Sequence, residues 1–175
     1  MPVHLFTFHG YRTWMPDHPD GYSRKGEGTF APDDEMNANY DARSKFPEIT
    51  FDEARQRIVV DACSEVCRNL GIALYYAVCV NTHCHVLVGW RGDRVWTILH
   101  DRMKRVVAMK LAKAEGVSGR RWLVLRRSGE AVIEPKHFAH LMTEYLPGHF
   151  GYTSFDPKAM EDARVYTRGH DGSEP

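Results

Sequence analysis

The chain has 175 residues and carries 23 Lys plus Arg against 23 Asp plus Glu, with 43% hydrophobic and 26% charged residues. That balance fits one globular domain with a real core, and it excludes a partner, nucleic acid or membrane, chosen by net charge alone. No apolar run reaches the roughly 18 residues that a spanning helix needs, and residues 1–8 lack the basic and long apolar regions of an export signal. The expectation is therefore a cytoplasmic protein with no membrane partner. Its four cysteines, Cys63, Cys67, Cys79 and Cys84, are then expected as buried thiols, not disulfides. A structural zinc site at Cys63 and Cys67 would need a second close Cys/His pair at zinc-finger spacing, and none follows.

Residues 3–9 read as a first strand, alternating Val3, Leu5 and Thr7 against His4, Phe6 and Phe8. From Gly10 to Pro47 the apolar period disappears under Pro16, Pro19, Gly21, Gly26, Gly28 and Pro32. This is a long loop insertion, either self-packed or functional. Its Tyr11, Arg12, Trp14, Tyr22, Arg24 and Lys25 mix aromatics with cations as base-stacking surfaces do. Thr50 and Glu53 form a capping box for an amphipathic helix with Phe51, Ala54, Ile58, Val59, Ala62, Val66 and Leu70 on its apolar face, ended by Gly71. Strands over 72–80 and 83–90 follow, joined by Asn81-Thr82 as an antiparallel hairpin. Asp93 is placed to cap a second long helix with a stripe of Val95, Ile98, Leu99, Met103, Val106, Val107 and Leu111, closed by Gly116. Residues 122–125 read as a fourth strand, with 131–133 extending or pairing with it. Pro135 opens a third helix, with Phe138, Leu141, Met142 and Tyr145 on one face, stopped by Pro147-Gly148.

The order β-α-β-β-α-β plus a helix predicts an α+β, ferredoxin-like (RRM-like) sandwich in which strands 3–9 and 83–90 are central neighbours. Residues 1–150 then form one domain and 151–175 a polar C-terminal tail. The middle of the chain carries Thr82-His83-Cys84-His85-Val86 between apolar, β-branched flanks. Side chains alternate along a strand, so His83 and His85 share one face and Cys84 points to the other. Two neighbouring imidazoles on the sheet face away from the long helices form a candidate pair of metal ligands. Charge is concentrated locally: Arg102, Lys104, Arg105, Lys110, Lys113, Arg120, Arg121, Arg126 and Arg127 are opposed only by Glu115. A cluster of this kind reads as a surface for a phosphate backbone.

His83-Cys84-His85, the ferredoxin-like order and a tyrosine on a later helix together resemble the HUH superfamily of single-strand DNA endonucleases. The likeness is to its single-tyrosine transposases, which include TnpA-like insertion-sequence transposases and REP-associated tyrosine transposases. It covers residues 3–9 and 50–150, with 10–47 as an elaboration. It implies an enzyme that uses a divalent ion, Mg2+ or Mn2+, on His83 and His85 to activate a phosphate of single-stranded or hairpin DNA. Tyr145 is then the nucleophile that forms a 5′-phosphotyrosine link, with Tyr152 as the reserve. The family's third ligand lies four residues after the tyrosine, which here is His149. Pro147-Gly148 argues against one helix face carrying both Tyr145 and His149, and His9 and His140 are further candidates. The resemblance also implies a homodimer that can exchange its tyrosine helix, with Pro147-Gly148 as a hinge. The DNA contacts are expected from Arg102, Lys104, Arg105, Lys110, Arg120, Arg121, Arg126 and Arg127. Histidine triad hydrolases are excluded because Leu87 occupies the next alternate position. Two other readings stand beside this one. One is a non-catalytic nucleic-acid-binding module using Phe6, Phe8, Tyr75 or Tyr76 on an open sheet face. The other is a metal-dependent hydrolase of small phosphate esters.

Overall fold

The structure is a computed structural model and describes residues 1–24 and 27–170. Lys25 lies outside the described residues. Strands β1 (Val3–His9), β4 (Ala73–Cys79), β5 (His83–Gly89), β6 (Gly129–Ala131) and β7 (Tyr152–Phe155) form one antiparallel sheet in the order β6-β1-β5-β4-β7. The protein is α+β, and β1 and β5 are central neighbours. Asn81-Thr82 closes the β4–β5 hairpin through Val80 N–H donating to the His83 carbonyl at 2.9 Å. Helices α2 (Glu53–Leu70) and α3 (Trp96–Glu115) lie together on one face. Their residues Val59, Cys63, Val66, Leu99, Met103, Val107 and Leu111 bury Phe6, Phe8, Cys84, Val86 and Val88. Burying a side chain such as Phe8 contributes about 2–3 kcal/mol, so this layer fixes the register that sets His83 and His85 outward.

The opposite face is covered as well. Helix α4 (Pro135–His140), a π turn (Leu141–Tyr145) and helix α5 (Pro157–His170) pack Ala139, Leu141, Met142, Leu146, Ala159 and Ala163 onto Leu5, Tyr76, Val78 and Leu87. Among the described residues there is therefore no open, RRM-like aromatic sheet face: Phe6, Phe8 and Tyr76 are in the core, and Tyr75 packs edge-on against Phe138. The composition of 151–175 does not announce β7, which pairs Tyr152 with Cys79 through Phe155 with Tyr76. Gly151 allows that pairing, since a Cβ there would lie 2.0 Å from the Cys79 carbonyl oxygen. Among the described residues no helix is long and apolar enough to cross a membrane.

Four local expectations are corrected. The cap of α2 is Asp52, whose carboxylate accepts from Arg55 N–H at 2.9 Å, and not Thr50. Asp93 does not cap α3, which begins at Trp96 with no side-chain cap. Its entry is set by tertiary anchors: Trp90 Nε1–H donates to the Arg94 carbonyl, and the Arg94 guanidinium to the Leu70 carbonyl. Val95 and Ile98 are exposed, and His100 takes their place in the buried stripe. Residues 122–125 do not form the fourth strand. They meet β1 only at its end, through a single bridge from Leu123 to Gly10. Lys104 Nζ takes the carbonyls of Val124, Leu125 and Arg126. The edge of β1 pairs with 129–131 instead.

The excursion after Gly10 is not structureless. It contains a hairpin of β2 (Tyr22–Arg24) and β3 (Gly28–Phe30), then α1 (Asp34–Arg43), capped by Asp33 accepting from Met36 N–H. No residue of α1 is buried, so it shows no apolar period. Its root is closed by Ile49 N–H donating to the Tyr11 carbonyl and Tyr11 N–H to the Trp122 carbonyl, both at 2.9 Å. An ion pair joins Arg12 to Asp41 of α1.

Candidate metal centre and tyrosine

Strand pairing places Thr7 opposite His85 and His9 opposite His83, so four polar side chains share one patch of the sheet. The outward face of the β1–β5 pair runs from the buried Leu5 and Leu87 to this patch at the end of the sheet. His83 and His85 have ring centroids 4.7 Å apart. The chain returns over them after the π turn, in which Leu146 N–H donates to the Leu141 carbonyl at 3.0 Å. A π turn is one residue wider than an α turn, which relaxes the crowding a proline ring creates against the carbonyl four residues back. Pro147 is accommodated, Leu146 is fully buried as the anchor, and Tyr145 and His149 emerge side by side with rings 4.9 Å apart. The two do not share one helix face, because the helical segment ends at Tyr145, but the turn through Pro147-Gly148 brings them together all the same.

His83, His85 and His149 each offer a ligand nitrogen, and these atoms all lie within 4.8 Å of one another. No other such cluster of His, Cys, Asp or Glu occurs among the described residues. Each Nδ1 has a partner. His149 Nδ1–H donates to the Tyr145 carbonyl at 2.8 Å, which in a neutral ring leaves Nε2 as the free nitrogen. His85 Nδ1 meets the Thr7 hydroxyl at 3.0 Å, and His83 Nδ1 meets the Thr82 hydroxyl at 2.9 Å. A hydroxyl accepts as readily as it donates, so the same tautomer is available to all three rings. These are the outer contacts that hold imidazole ligands in place. Burial, with the neighbouring histidines His9 and His149, lowers His83 to about 4; burial, with His83, His149 and His9, lowers His85 to about 3. Both are therefore neutral near pH 7, the form that binds a metal ion. The set fits a divalent ion.

The Tyr145 hydroxyl lies 3.3 Å from His85 Nε2, and its side chain is 39% exposed. Burial and the Glu130 carboxylate hold its phenol above the usual pKa of 10. His9 sits 5.5 Å from His83 ring to ring, outside the three, with a buried Nδ1 that has no hydrogen-bond partner. His140 is not part of the site; it is exposed and 3.2 Å from Glu144. Tyr152 begins β7 under the Arg57 guanidinium. Thr7 and Thr82 were not singled out from the sequence. The alternation that put Thr7 on the histidine face is the signal that could have found it.

The basic residues expected to contact DNA differ in their partners. Lys104 is spent on loop carbonyls, Lys110 pairs with Glu65 of α2, and Arg127 forms a two-pronged pair with Asp101. Arg120 lies over Trp122 and Arg121 over Tyr11. Arg102, Arg105 and Arg126 are exposed. The cysteines are thiols buried in the core, and burial, with the neighbouring Cys63, pushes Cys67 up to about 12.

No family model and no curated protein matches the sequence. Among solved structures the chain is similar to a REP-associated tyrosine transposase bound to a REP hairpin, at 13% identity and a TM-score of 0.45. The match covers 80% of this chain, which spans 61% of the length of that one.

Proposed function

We propose that the protein is a metal-dependent single-stranded DNA endonuclease and strand transferase, a transposase, that works through a covalent phosphotyrosine. The observation that carries this reading is the Tyr145 hydroxyl 3.3 Å from His85, at the edge of a three-imidazole cluster. A divalent ion held by His83, His85 and His149 would polarise the scissile phosphate, offset its developing charge and favour the phenolate. Tyr145 Oη attacks phosphorus; a Tyr–O–P bond forms as the bond to the 3′ oxygen breaks. The phenol proton leaves to solvent, and the 3′ oxygen departs as a hydroxyl after taking a proton. The phosphodiester energy is kept in the tyrosyl link, so attack by a 3′-hydroxyl rejoins the strand without a nucleotide cofactor.

Thr7 and Thr82 act as positioning residues that fix the His85 and His83 rings. An all-imidazole set suits zinc best; manganese, like magnesium, prefers oxygen ligands but takes imidazole as the softer of the two. Hairpin-flanked DNA is the proposed substrate. Tyr145 meets the histidines of its own chain, so a homodimer would not need to exchange the tyrosine helix to complete the site. Incubation with single-stranded hairpin DNA and Mn2+ or Zn2+ is expected to give an adduct that survives denaturing gels. That adduct is lost in Tyr145→Phe and in His83→Ala. Phosphate-ester cleavage that persists in Tyr145→Phe favours the small-ester hydrolase, and binding without an adduct under any divalent metal favours the non-catalytic module.

A further inference from the structure

A groove of about 720 Å3 runs between the 10–47 excursion and the loop after residue 122. Its lining includes His9, Trp14, Tyr22, Tyr40, Arg126 and Arg127. One wall is aromatic. The Trp14 indole lies flat on His18, with centroids 3.9 Å apart and planes 11° apart, and presents its edge to His9 at 6.1 Å. Trp14 is 45% exposed and Tyr40 52% exposed, although both are large and apolar. The other wall is cationic. Arg126 is exposed and has no ion pair among the described residues, and the Arg127 pair with Asp101 lies beside it.

The geometry points to a subsite for a short run of unpaired nucleotides, continuous with the strand that crosses the histidine cluster. The inference rests on the reading of the cluster as a site for a DNA phosphate. Three observations support it. The groove joins the cluster through His9, whose ring is 5.5 Å from His83 and whose buried Nδ1 has no partner of its own. Its volume falls within the roughly 300–1,000 Å3 of small-molecule ligand pockets. Its chemistry pairs π faces with a guanidinium, which suits stacked bases on a charged backbone; a duplex hides its base faces and would call on cations alone. The aromatic wall belongs wholly to the excursion, so that elaboration serves to hold the strand beside the bond to be cut.

Binding is measured by fluorescence anisotropy of a labelled single-stranded oligodeoxynucleotide, in chelator, so that no cleavage occurs. The expected result is tight binding of the single strand, weak binding of the same sequence as a blunt duplex, and quenching of Trp14 emission. Trp14→Ala, Tyr40→Ala and Arg126→Ala each weaken single-strand binding by roughly tenfold, as loss of one stacked base or its charge partner does. Trp14→Phe retains most of it. If Trp14→Ala fails to fold, the exposed Tyr40 and Arg126 carry the test. Unchanged affinity in Tyr40→Ala and Arg126→Ala, equal binding of duplex, or tighter binding of the matching oligoribonucleotide would overturn the subsite. Failure here can be told from failure of the catalytic reading. Tyr145→Phe leaves groove binding intact while abolishing the adduct, whereas an adduct insensitive to Tyr40→Ala and Arg126→Ala removes the groove alone.

Discussion

His100 is a fully buried histidine outside the metal centre, and its removal tests how α3 is held to the sheet. The ring has no exposed surface, packs against Phe8 with centroids 4.8 Å apart and edge-on to Phe6, and accepts from Ser128 N–H at 3.4 Å. Burial, and secondarily the Lys104 ammonium, lowers it from 6.5 to about 4. The folded value lies below the unfolded one, so the unfolded chain binds the extra proton between those two pH values. The stabilisation is complete above pH 6.5 and is lost as pH falls toward 4. At about 1.4 kcal/mol per pKa unit the full loss is about 3 kcal/mol, of which about 2 kcal/mol is gone by pH 5. Urea unfolding in chelator at pH 8 and pH 5 measures it for the natural chain and His100→Leu. The variant should lose about 2 kcal/mol less between the two pH values, while the acid losses from His83 and His85 cancel in the comparison. Equal losses would refute the reasoning.

Asp52→Ala should cost about 1 kcal/mol of stability while Thr50→Ala costs little, because the α2 cap bond comes from Asp52; comparable losses in denaturant melts would restore the capping box. Gly10→Ala places a Cβ 2.3 Å from the Ile49 carbonyl oxygen, so about 1–3 kcal/mol should be lost in the same assay, with the excursion loosened at its root. Mn2+ or Zn2+ at about one hundred times Kd should stabilise the chain by about 2.7 kcal/mol in thermal melts, Mg2+ at the same concentration less, and His85→Ala should remove the effect. Since His83 and His85 lie at about 4 and 3, proton competition at these two rings should begin only below about pH 5. A steep loss of metal stabilisation between pH 8 and pH 6 in a His149→Gln background would contradict that.

Much of the site was legible because strand alternation is a strict rule. It placed His83 and His85 outward and Cys84 in the core, while the element order put β1 beside β5; that Thr7 faces His85 came only with the register. The arrival of His149 was implied by the resemblance alone and not by the local residues. Leu146-Pro147-Gly148 carries the residues of a helix stop, and only the π turn, stabilised by the buried Leu146, keeps the chain over the sheet. Periodicity at 3.6 residues cannot announce a turn of a different width. Helix α1 escaped because it buries nothing, and β7 because Tyr152-Thr153-Ser154-Phe155 is half polar and edge-paired. The basic run was visible but not its division: Glu65, Asp101 and the 124–126 carbonyls, all distant in sequence, take up three of its cations.

The most direct test of the account is where the DNA becomes attached. After reaction with hairpin DNA and Mn2+, nuclease and trypsin digestion yield the peptide from residue 137 to residue 158, which contains both Tyr145 and Tyr152. Fragmentation mass spectrometry separates the two. The account predicts a phosphonucleotide mass on Tyr145, absent in His83→Ala. A mass on Tyr152 or any other residue would contradict it, as would an unmodified peptide under every divalent metal tried.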